Sequence, residues 1–516
     1  MMRPIVKLFG QLLSPYTNRF FQALENPQRT QQSVQEEIVN HLAKSEYGKF
    51  LGIHSVAEWN RIPIVNYDDL KAWIERQKTT QQPILTAESI LFYEKTSGSS
   101  GSAKLIPYTK SLRATFNQMF CVWVHDLIQH GPGFSTGKIY FCISPRLDTA
   151  STNSAVPVGL EDDSEYLDEW LMLFLRPFLV APPGLNRLRN AEEFKDKLSQ
   201  ALLLEENLEV ISIWSPSFLR VELDYIQTHR VRLWKELKNK MSAKRSKLLL
   251  EPEIPWKLLW QELKLISCWD SANAADGAGF LRSRFPGVMV QGKGLLATEA
   301  PMTIPLIEAQ GCVPMLDEVF FEFEDGDGKI HRLHEIVAGI DYEIIISQKG
   351  GLYRYRVGDR VRVSHFYKGT PCLEFLGRSQ ATSDLVGEKL HSEFVRSVIE
   401  DLALEGTFFK SLVPVRKPVD RYILLLDTAK ESSDAIAQRL DDALMRSHHY
   451  RQARLLGQLA PARVLVSRQI PEILTLYGMQ AGKKWGDLKH PLLAIAPLEE
   501  DLLAELEKVS QNSCFR

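Results

Sequence analysis

Apolar residues in the first 90 positions recur at helical spacing. Val34, Ile38, Val39 and Leu42 are separated by polar Gln, Glu, Asn and His, which places one apolar stripe along a helix. This region reads as helical scaffold. From about residue 138 the texture changes to short apolar runs, KIYFCIS (138–144), LEVISIW (208–214), LKLISCW (263–269) and GVMVQ (287–291), alternating with amphipathic helices such as AEEFKDKLSQALLLEENLE from Ala191. That alternation predicts an α/β fold with a mainly parallel sheet and ligands at the carboxyl ends of its strands.

From Glu318 the pattern becomes purely β. VFFEFEDGDGKIHRL holds a DG turn between apolar runs, and EIIIS, LYRYRV and RVRVSHF follow closely, predicting an antiparallel subdomain. The remainder combines strand YILLLD, helix ESSDAIAQRLDDALMRS with Ile436, Leu440 and Leu444 on one face, and strand ARVLVS. These residues predict a compact α+β domain, joined near Gly377 and Arg378 after the strand CLEFL. No internal repeat or low-complexity segment interrupts the chain.

Length and composition narrow the picture. At roughly 150 residues per domain, 516 residues allow about three to four domain equivalents. With 62 Lys and Arg against 64 Asp and Glu, no global field draws nucleic acid or an anionic membrane, so a charged substrate must be met locally. The six cysteines, Cys121, Cys142, Cys268, Cys312, Cys372 and Cys514, form no CxxC pair and read as inert thiols in a reducing compartment. The opening MMRPIVKLFGQLL is interrupted by Lys7 and lacks a small-residue cleavage site. LMLFLRPFLVAPP from Leu171 is broken by Arg176 and Pro177, well short of the roughly 20 residues a membrane span needs. A cytoplasmic protein, monomeric or weakly self-associating, is the expectation.

Four stretches can carry chemistry. TSGSSGSAK (96–104) follows the strand-like SILFYEK; its hydroxyls and free backbone N–H groups suit phosphate oxygens, and Lys104 adds a cation. It is not a Walker A loop, since Leu105 follows the lysine. An exposed Ser/Gly linker is the bland alternative. GKGLLATEA (292–300) sets a Thr and a Glu after a strand, one hydroxyl for a phosphate and one carboxylate for Mg²⁺. LYRYRVGDRVRV (352–363) is an alternating strand broken by Gly358 and Asp359; an Asp there can accept ribose hydroxyls, although a GD is more often a simple turn. FLGRSQATSDLVGEKLHSEF (375–394) and GDLKHP (486–491) each put a basic residue in a Gly-containing loop.

In this order, TSGSSG with its Lys, ATE, YRVGD, a GR hinge and a C-terminal loop Lys, the chain resembles the adenylate-forming superfamily of acyl-CoA synthetases, adenylation domains and luciferases. TSGSSGSAKLIP, CWDSANAA, FPGVMVQGKGLLATEAP, LYRYRVGD and DLVGEKL look more closely like the auxin-responsive acyl-acid amido synthetase family, in a bacterial-type version, over nearly the whole chain. The resemblance implies an N-terminal adenylate-forming domain (1–376), a hinge (377–380) and a small mobile C-terminal domain (381–516). It also implies an ATP- and Mg²⁺-dependent ligase that adenylates a carboxylic acid and passes the acyl group to an amino acid's amine. Ser97, Ser99, Ser100 and Gly101 would hold the β- and γ-phosphates with Lys104 nearby; Thr298 would contact the α-phosphate, Glu299 would bind Mg²⁺, and Asp359 would take the ribose hydroxyls. Arg378 would be the hinge-side contact, and Lys489 would approach the carboxylate and α-phosphate during adenylation. Four positions before Glu299, where the family often carries an adenine-stacking Tyr, stands Leu295; apolar packing and backbone hydrogen bonds are one alternative way to hold adenine. A thioester-forming ligase shares the first half-reaction, and a non-catalytic binding module is the farther alternative.

Other conspicuous residues read as structural. KELKNKMSAKRSK (235–247) looks like a solvated helix face, Trp256 and Trp260 like a packed core face, and EDDSE (161–165) like a helix start. His448 and His449 fall at a helix end, where a favourable dipole interaction is expected.

Overall fold

The structure is a computed structural model that describes residues 13–14, 17–80, 82–95, 104–141, 190–378, 382–481 and 488–513, together with 173, 175–180, 184–185 and 188. Helices Pro27–Leu42, Glu46–Leu51 and Tyr67–Thr79, with the 3₁₀ turn Val56–Arg61, form the expected scaffold. Val34, Ile38, Val39 and Leu42 are buried on one face of the first. The helix Tyr67–Thr79 starts at Asn66, whose side chain accepts from the N–H groups of Asp68 and Asp69 while Asp69 accepts from the Asn66 N–H. This reciprocal cap satisfies donors that the first turn otherwise leaves open.

Strands Lys138–Phe141, Leu208–Ser212, Leu265–Ser267 and Met289–Gln291 form a four-stranded sheet, all parallel and in chain order. Helices Ala191–Leu204 and Pro216–Leu237 make the crossovers. A separate five-stranded antiparallel sheet has the order Ile330–Arg332, Phe320–Glu324, Asp341–Ser347, Tyr355–Tyr367, Thr370–Arg378. In this sheet the sequence reading is corrected: Gly358 and Asp359 do not break a hairpin but lie inside one strand, Tyr355–Tyr367. The pairing slips between Glu343 and Ile345, so that the stretch around Gly358 bulges from the ladder, and Gly358 takes φ +85 there. A residue with Cβ adopts that conformation only at a cost, which is why glycine stands at the bulge.

The N-terminal helices, the hairpin Ile90–Lys95/Leu105–Thr109, the helix Lys110–His130 and the antiparallel sheet share one apolar core; the parallel sheet and its helices enclose another. Trp256 and Trp260 belong to the second core and stack at 5.7 Å, as expected. In the C-terminal part the strand Arg421–Leu426 pairs antiparallel with Lys410–Val415 and parallel with Arg463–Val466. Its period-two alternation sends Tyr422, Leu424 and Leu426 into one core and Ile423 and Leu425 into another. Helix Ser433–Leu444 covers the first with Ile436, Leu440 and Leu444.

The C-terminal part is seated on the parallel-sheet layer. The buried Arg220 Nη1 lies 2.7 Å from Asp427 Oδ2, Lys410 meets Asp276 at 2.9 Å and Lys195 meets Glu472 at 3.1 Å. Met479 and Leu488 complete the core beneath the parallel sheet. These contacts bring the loop bearing Lys489 towards the carboxyl ends of the parallel strands.

Two structural readings change. In the basic run 235–247, Lys235, Lys238, Lys240, Lys244 and Lys247 are exposed, but Arg245 is buried and donates to the carbonyls of Leu259, Leu203 and Glu205. His448 and His449 open the helix His448–Leu455 rather than closing one, so they stand at the positive end of its dipole. Cys121, Cys268, Cys312 and Cys372 are free thiols, and burial pushes Cys268 and Cys312 up to about 12. Cys142, Cys514 and the EDDSE stretch lie outside the described residues. Among the described residues no helix is long and apolar enough to cross a membrane, and no His, Cys, Asp and Glu group forms a ready-made metal cage.

Candidate active site

Strand pairing sets Asp359 directly opposite Arg378, the last residue of the strand Thr370–Arg378. Asp359 is only 3% exposed, and Arg378 Nε donates to its Oδ1 at 3.2 Å while the guanidinium side chain stays 46% exposed. Burial raises the Asp359 carboxyl above its ordinary range, against the pull of Arg378 and Lys489. The bulge at Gly358 therefore aims a dehydrated carboxylate next to a guanidinium that reaches solvent.

Thr298 and Glu299 form the tight turn between the short strands Leu296–Ala297 and Ala300–Pro301. The turn is pinned from below: the buried Tyr108 donates its hydroxyl to the Thr298 carbonyl at 3.0 Å. Glu299 is buried, and burial pushes its carboxyl up; its own backbone N–H, Arg378 and Lys104 pull it down, while Asp359 pushes it further up. Asp359, Arg378 and Lys104 are thus all within electrostatic reach of Glu299, although the four residues come from four separate stretches of the chain.

Lys104 sits at the foot of the Ser/Gly loop. Its Nζ lies 5.7 Å from the centre of the Tyr67 ring, and the Tyr67 hydroxyl accepts the Leu105 N–H at 2.9 Å. Lys95 and Leu105 are paired across the two antiparallel strands, so the described ends that flank residues 96–103 are held side by side. Ser97, Ser99, Ser100 and Gly101 lie outside the described residues, as do 379–380 of the expected hinge.

Lys489 comes from the far end of the chain. Its Nζ is 4.4 Å from the centre of the Trp269 ring, which follows the third parallel strand. Its loop is fastened on both sides, by buried Leu488 and by His490 Nε2 at 3.2 Å from Thr475 Oγ1. Leu295 lies four positions before Glu299. It is buried in the large core, its N–H donates to Thr303 Oγ1, and its carbonyl accepts from both Met302 and Thr303. A carbonyl has two lone pairs, so the backbone of Leu295 is fully occupied.

Sequence reasoning missed Tyr67, Tyr108 and Trp269. Tyr108 stands in the apolar run LIPYT and carries no motif of its own, while Trp269 falls within CWDSANAA, which assigns it no role. What the arrangement can do is specific. Two dehydrated carboxylates invite cations and hydroxyl donors, three cations converge from separate elements, and aromatic faces lie under two of them. This set suits a phosphorylated, hydroxyl-bearing ligand beside an apolar one.

Comparison with known proteins agrees. The chain matches the GH3 family N-terminal domain over 16–290, the GH3 family central domain over 312–378 and the GH3 family C-terminal domain over 392–497. It is 22% identical over 442 residues to the indole-3-acetic acid-amido synthetase GH3.4 of Arabidopsis thaliana, covering 74% of this chain and 73% of that protein. It is 22% identical over 489 residues to the jasmonoyl–L-amino acid synthetase JAR4 of Nicotiana attenuata, covering 81% and 82%. Its fold matches the AtGH3.15 acyl acid amido synthetase in complex with 2,4-DB, with a TM-score of 0.78 at 19% identity over 98% of this chain and 96% of that one. It also matches a 2-hydroxyisobutyryl-CoA ligase in the postadenylation state, with a TM-score of 0.54 at 14% identity over 95% and 93%.

Proposed function

The chain belongs to the GH3 family, and from that premise we propose that it is an acyl-acid amido synthetase, an ATP-dependent ligase that joins a carboxylic acid to the amine of an amino acid. The observation that carries the reading is the meeting of Glu299, Asp359, Arg378, Lys104 and Lys489 around one position. In the first half-reaction a carboxylate oxygen of the acid bonds to the α-phosphorus of ATP as the bond to pyrophosphate breaks. In the second, the amine nitrogen bonds to the acyl carbon, AMP leaves, and the nitrogen loses a proton.

Anions repel in the first step, and fixed cations offset that repulsion without reorganising. Ser97, Ser99, Ser100 and Gly101 offer donors to the β- and γ-phosphates, with Lys104 held nearby by Tyr67. The Thr298 hydroxyl meets the α-phosphate. Asp359 accepts the ribose hydroxyls, and Arg378 keeps that carboxylate oriented. Burial and the neighbouring Asp359 raise the Glu299 carboxyl, the condition a bound cation relieves, so Glu299 fits as the protein ligand of an ATP-bound Mg²⁺ that would neutralise phosphate charge. Lys489, whose field reaches Asp359, approaches the acid's carboxylate and the α-phosphate.

The second half-reaction needs room for an amine where Lys489 stands. Residues 1–376 act as the large domain and 381–516 as a mobile one, turning about 377–380 so that Lys489 withdraws after adenylation. Gly377, at φ +134, supplies a backbone position with freedom to turn. The test is acid-dependent pyrophosphate release over aryl, indolyl and fatty acids, followed by mass spectrometry of products formed with pooled amino acids or with coenzyme A. Amides are expected. Thioesters alone, or no pyrophosphate with any acid, would overturn the reading.

A further inference from the structure

The carboxyl ends of the parallel strands carry a second cationic site. Lys293 lies two residues beyond the strand Met289–Gln291, and its Nζ donates at 2.8 Å to Ser212 Oγ, at the end of the strand Leu208–Ser212, with the strand Leu265–Ser267 lying between the two. Three aromatic rings surround the same ammonium: Trp214 at 5.1 Å, Trp123 at 5.7 Å and Phe141 at 6.0 Å from their centres. They come from three different elements, and Trp123 is fixed by a 2.9 Å hydrogen bond from its Nε1 to Gln291 Oε1. An ammonium over several aromatic faces is attracted by the negative faces of their ring quadrupoles.

This box is separate from the nucleotide contacts yet joined to them. The groups acting on Glu299 and Asp359 are Arg378, Lys104, Lys489 and neighbouring carboxylates, whereas Lys293 acts on Cys268, beyond the third parallel strand. Trp214 is the shared wall, its ring 5.9 Å from Trp269, on whose face Lys489 rests. A line from Lys489 over Trp269 and Trp214 to Lys293 therefore runs from the point of carboxylate activation to an ammonium ringed by aromatic faces. A site built only to bury an apolar acyl chain gains nothing from a lysine, whose partial burial carries a penalty that Met or Leu would avoid.

We propose that Lys293 is a specificity-determining residue of the acyl site, where it receives a second oxygen acceptor of the acid substrate, distinct from the carboxylate that is adenylated. The substrate class is a flat, apolar acid bearing a ring hydroxyl, keto or second carboxylate group. The inference rests on the amido-synthetase reading and adds to it the chemistry of the acid.

Matched acids test it, each arylacetic or indolylacetic parent paired with its ring-hydroxylated, keto or second-carboxylate derivative, by pyrophosphate release. A hydrogen bond to a charged group is worth about 1.5–3 kcal/mol, so the preferred derivative should exceed its parent in kcat/KM by roughly 10- to 150-fold. Lys293→Met should bring that ratio close to one, Lys293→Arg should restore much of it, and Ser212→Ala, which keeps the lysine but frees its position, should lower it a few-fold. If Lys293→Met does not fold, the Ser212→Ala ratio decides. A wild-type enzyme that turns over acids without preferring any derivative, or a preference that survives in Lys293→Met or Ser212→Ala, overturns the inference while leaving the amido-synthetase reading intact. Failure of every acid to release pyrophosphate from the wild type removes that reading, and this inference with it.

Discussion

Replacing Asp359 by Asn should uncouple stability from ATP affinity. The substitution removes one negative charge and preserves the side chain's shape at a position that is 3% exposed. Burial is the largest influence on this carboxyl and outweighs Arg378 and Lys489, so its folded-state pKa lies above the ordinary value. A raised folded pKa means that the stability contributed by the bound proton is fully present below the unfolded pKa, about 3.9, and is lost as pH rises through the folded value. Near neutral pH the wild type therefore carries a buried, penalised ion that Asn does not. Arg378 loses its partner, but at 46% side-chain exposure it rehydrates, and such a half-exposed pair is worth only about 0–1 kcal/mol. The Asn variant should melt at the same temperature as the wild type or higher at about pH 7, and its advantage should grow from about pH 4 upward. ATP binding should move the other way. Losing one charge-assisted hydrogen bond to ribose forfeits about 1.5–3 kcal/mol, a rise in the KM for ATP of roughly 10- to 100-fold. Thermal melts across pH, with pyrophosphate release at varied ATP, measure both. A lower melting temperature with unchanged KM for ATP would make Asp359 a strand-pairing residue and take it out of the ribose site.

Three further substitutions probe the same architecture. Lys489→Ala should abolish acid-dependent pyrophosphate release while sparing amide formation from a supplied acyl-adenylate; equal loss of both would refute the division of labour between half-reactions. Glu299→Gln should raise the Mg²⁺ concentration needed for half-maximal rate at least tenfold. Because burial raises the Glu299 carboxyl, the wild-type acid limb of kcat/KM for ATP should fall above the usual carboxylate range near 4.3, and in Glu299→Gln that limb should shift or lose a step; an identical limb in both would exclude Glu299. Asp427→Asn leaves buried Arg220 with only the longer 3.8 Å contact to half-exposed Asp224, so the loss should approach but stay below the about 3–5 kcal/mol of a fully broken buried pair, and melting should begin earlier in the C-terminal part; an unchanged melt would show that the Arg220 contact does not hold the two parts together.

The residues that the motifs singled out do converge as far as they are described, and this was legible because the chemistry demands particular side chains. A buried Glu after a Thr, an Asp after a Gly and a Lys at a loop foot keep their identity wherever the fold puts them. What surrounds them was not legible. Gly358 and Asp359 spell a turn locally, and only the pairing of Asp341–Ser347 with Tyr355–Tyr367 turns them into a bulge within a strand. The sequence shows Leu295 only as an apolar residue, and tertiary contacts with Met302 and Thr303 engage its backbone. Tyr67 and Tyr108, which hold Lys104 and Thr298, meet them across 37 and 190 positions of chain, and no local spacing announces such partners.

Periodicity alone was enough for the helical entry, the four parallel strands, the antiparallel sheet and the apolar face of Ser433–Leu444, because backbone hydrogen bonding and burial of one face are local demands written every two or every three to four residues. Distances between elements obey no such local rule. The approach of Lys489 to Trp269, the box around Lys293 and the buried Arg220–Asp427 pair arise from how the four cores pack, and each joins residues that are far apart in the chain. Packing of whole layers, a property of the complete chain, decided where those charges would meet and which aromatic faces would receive them.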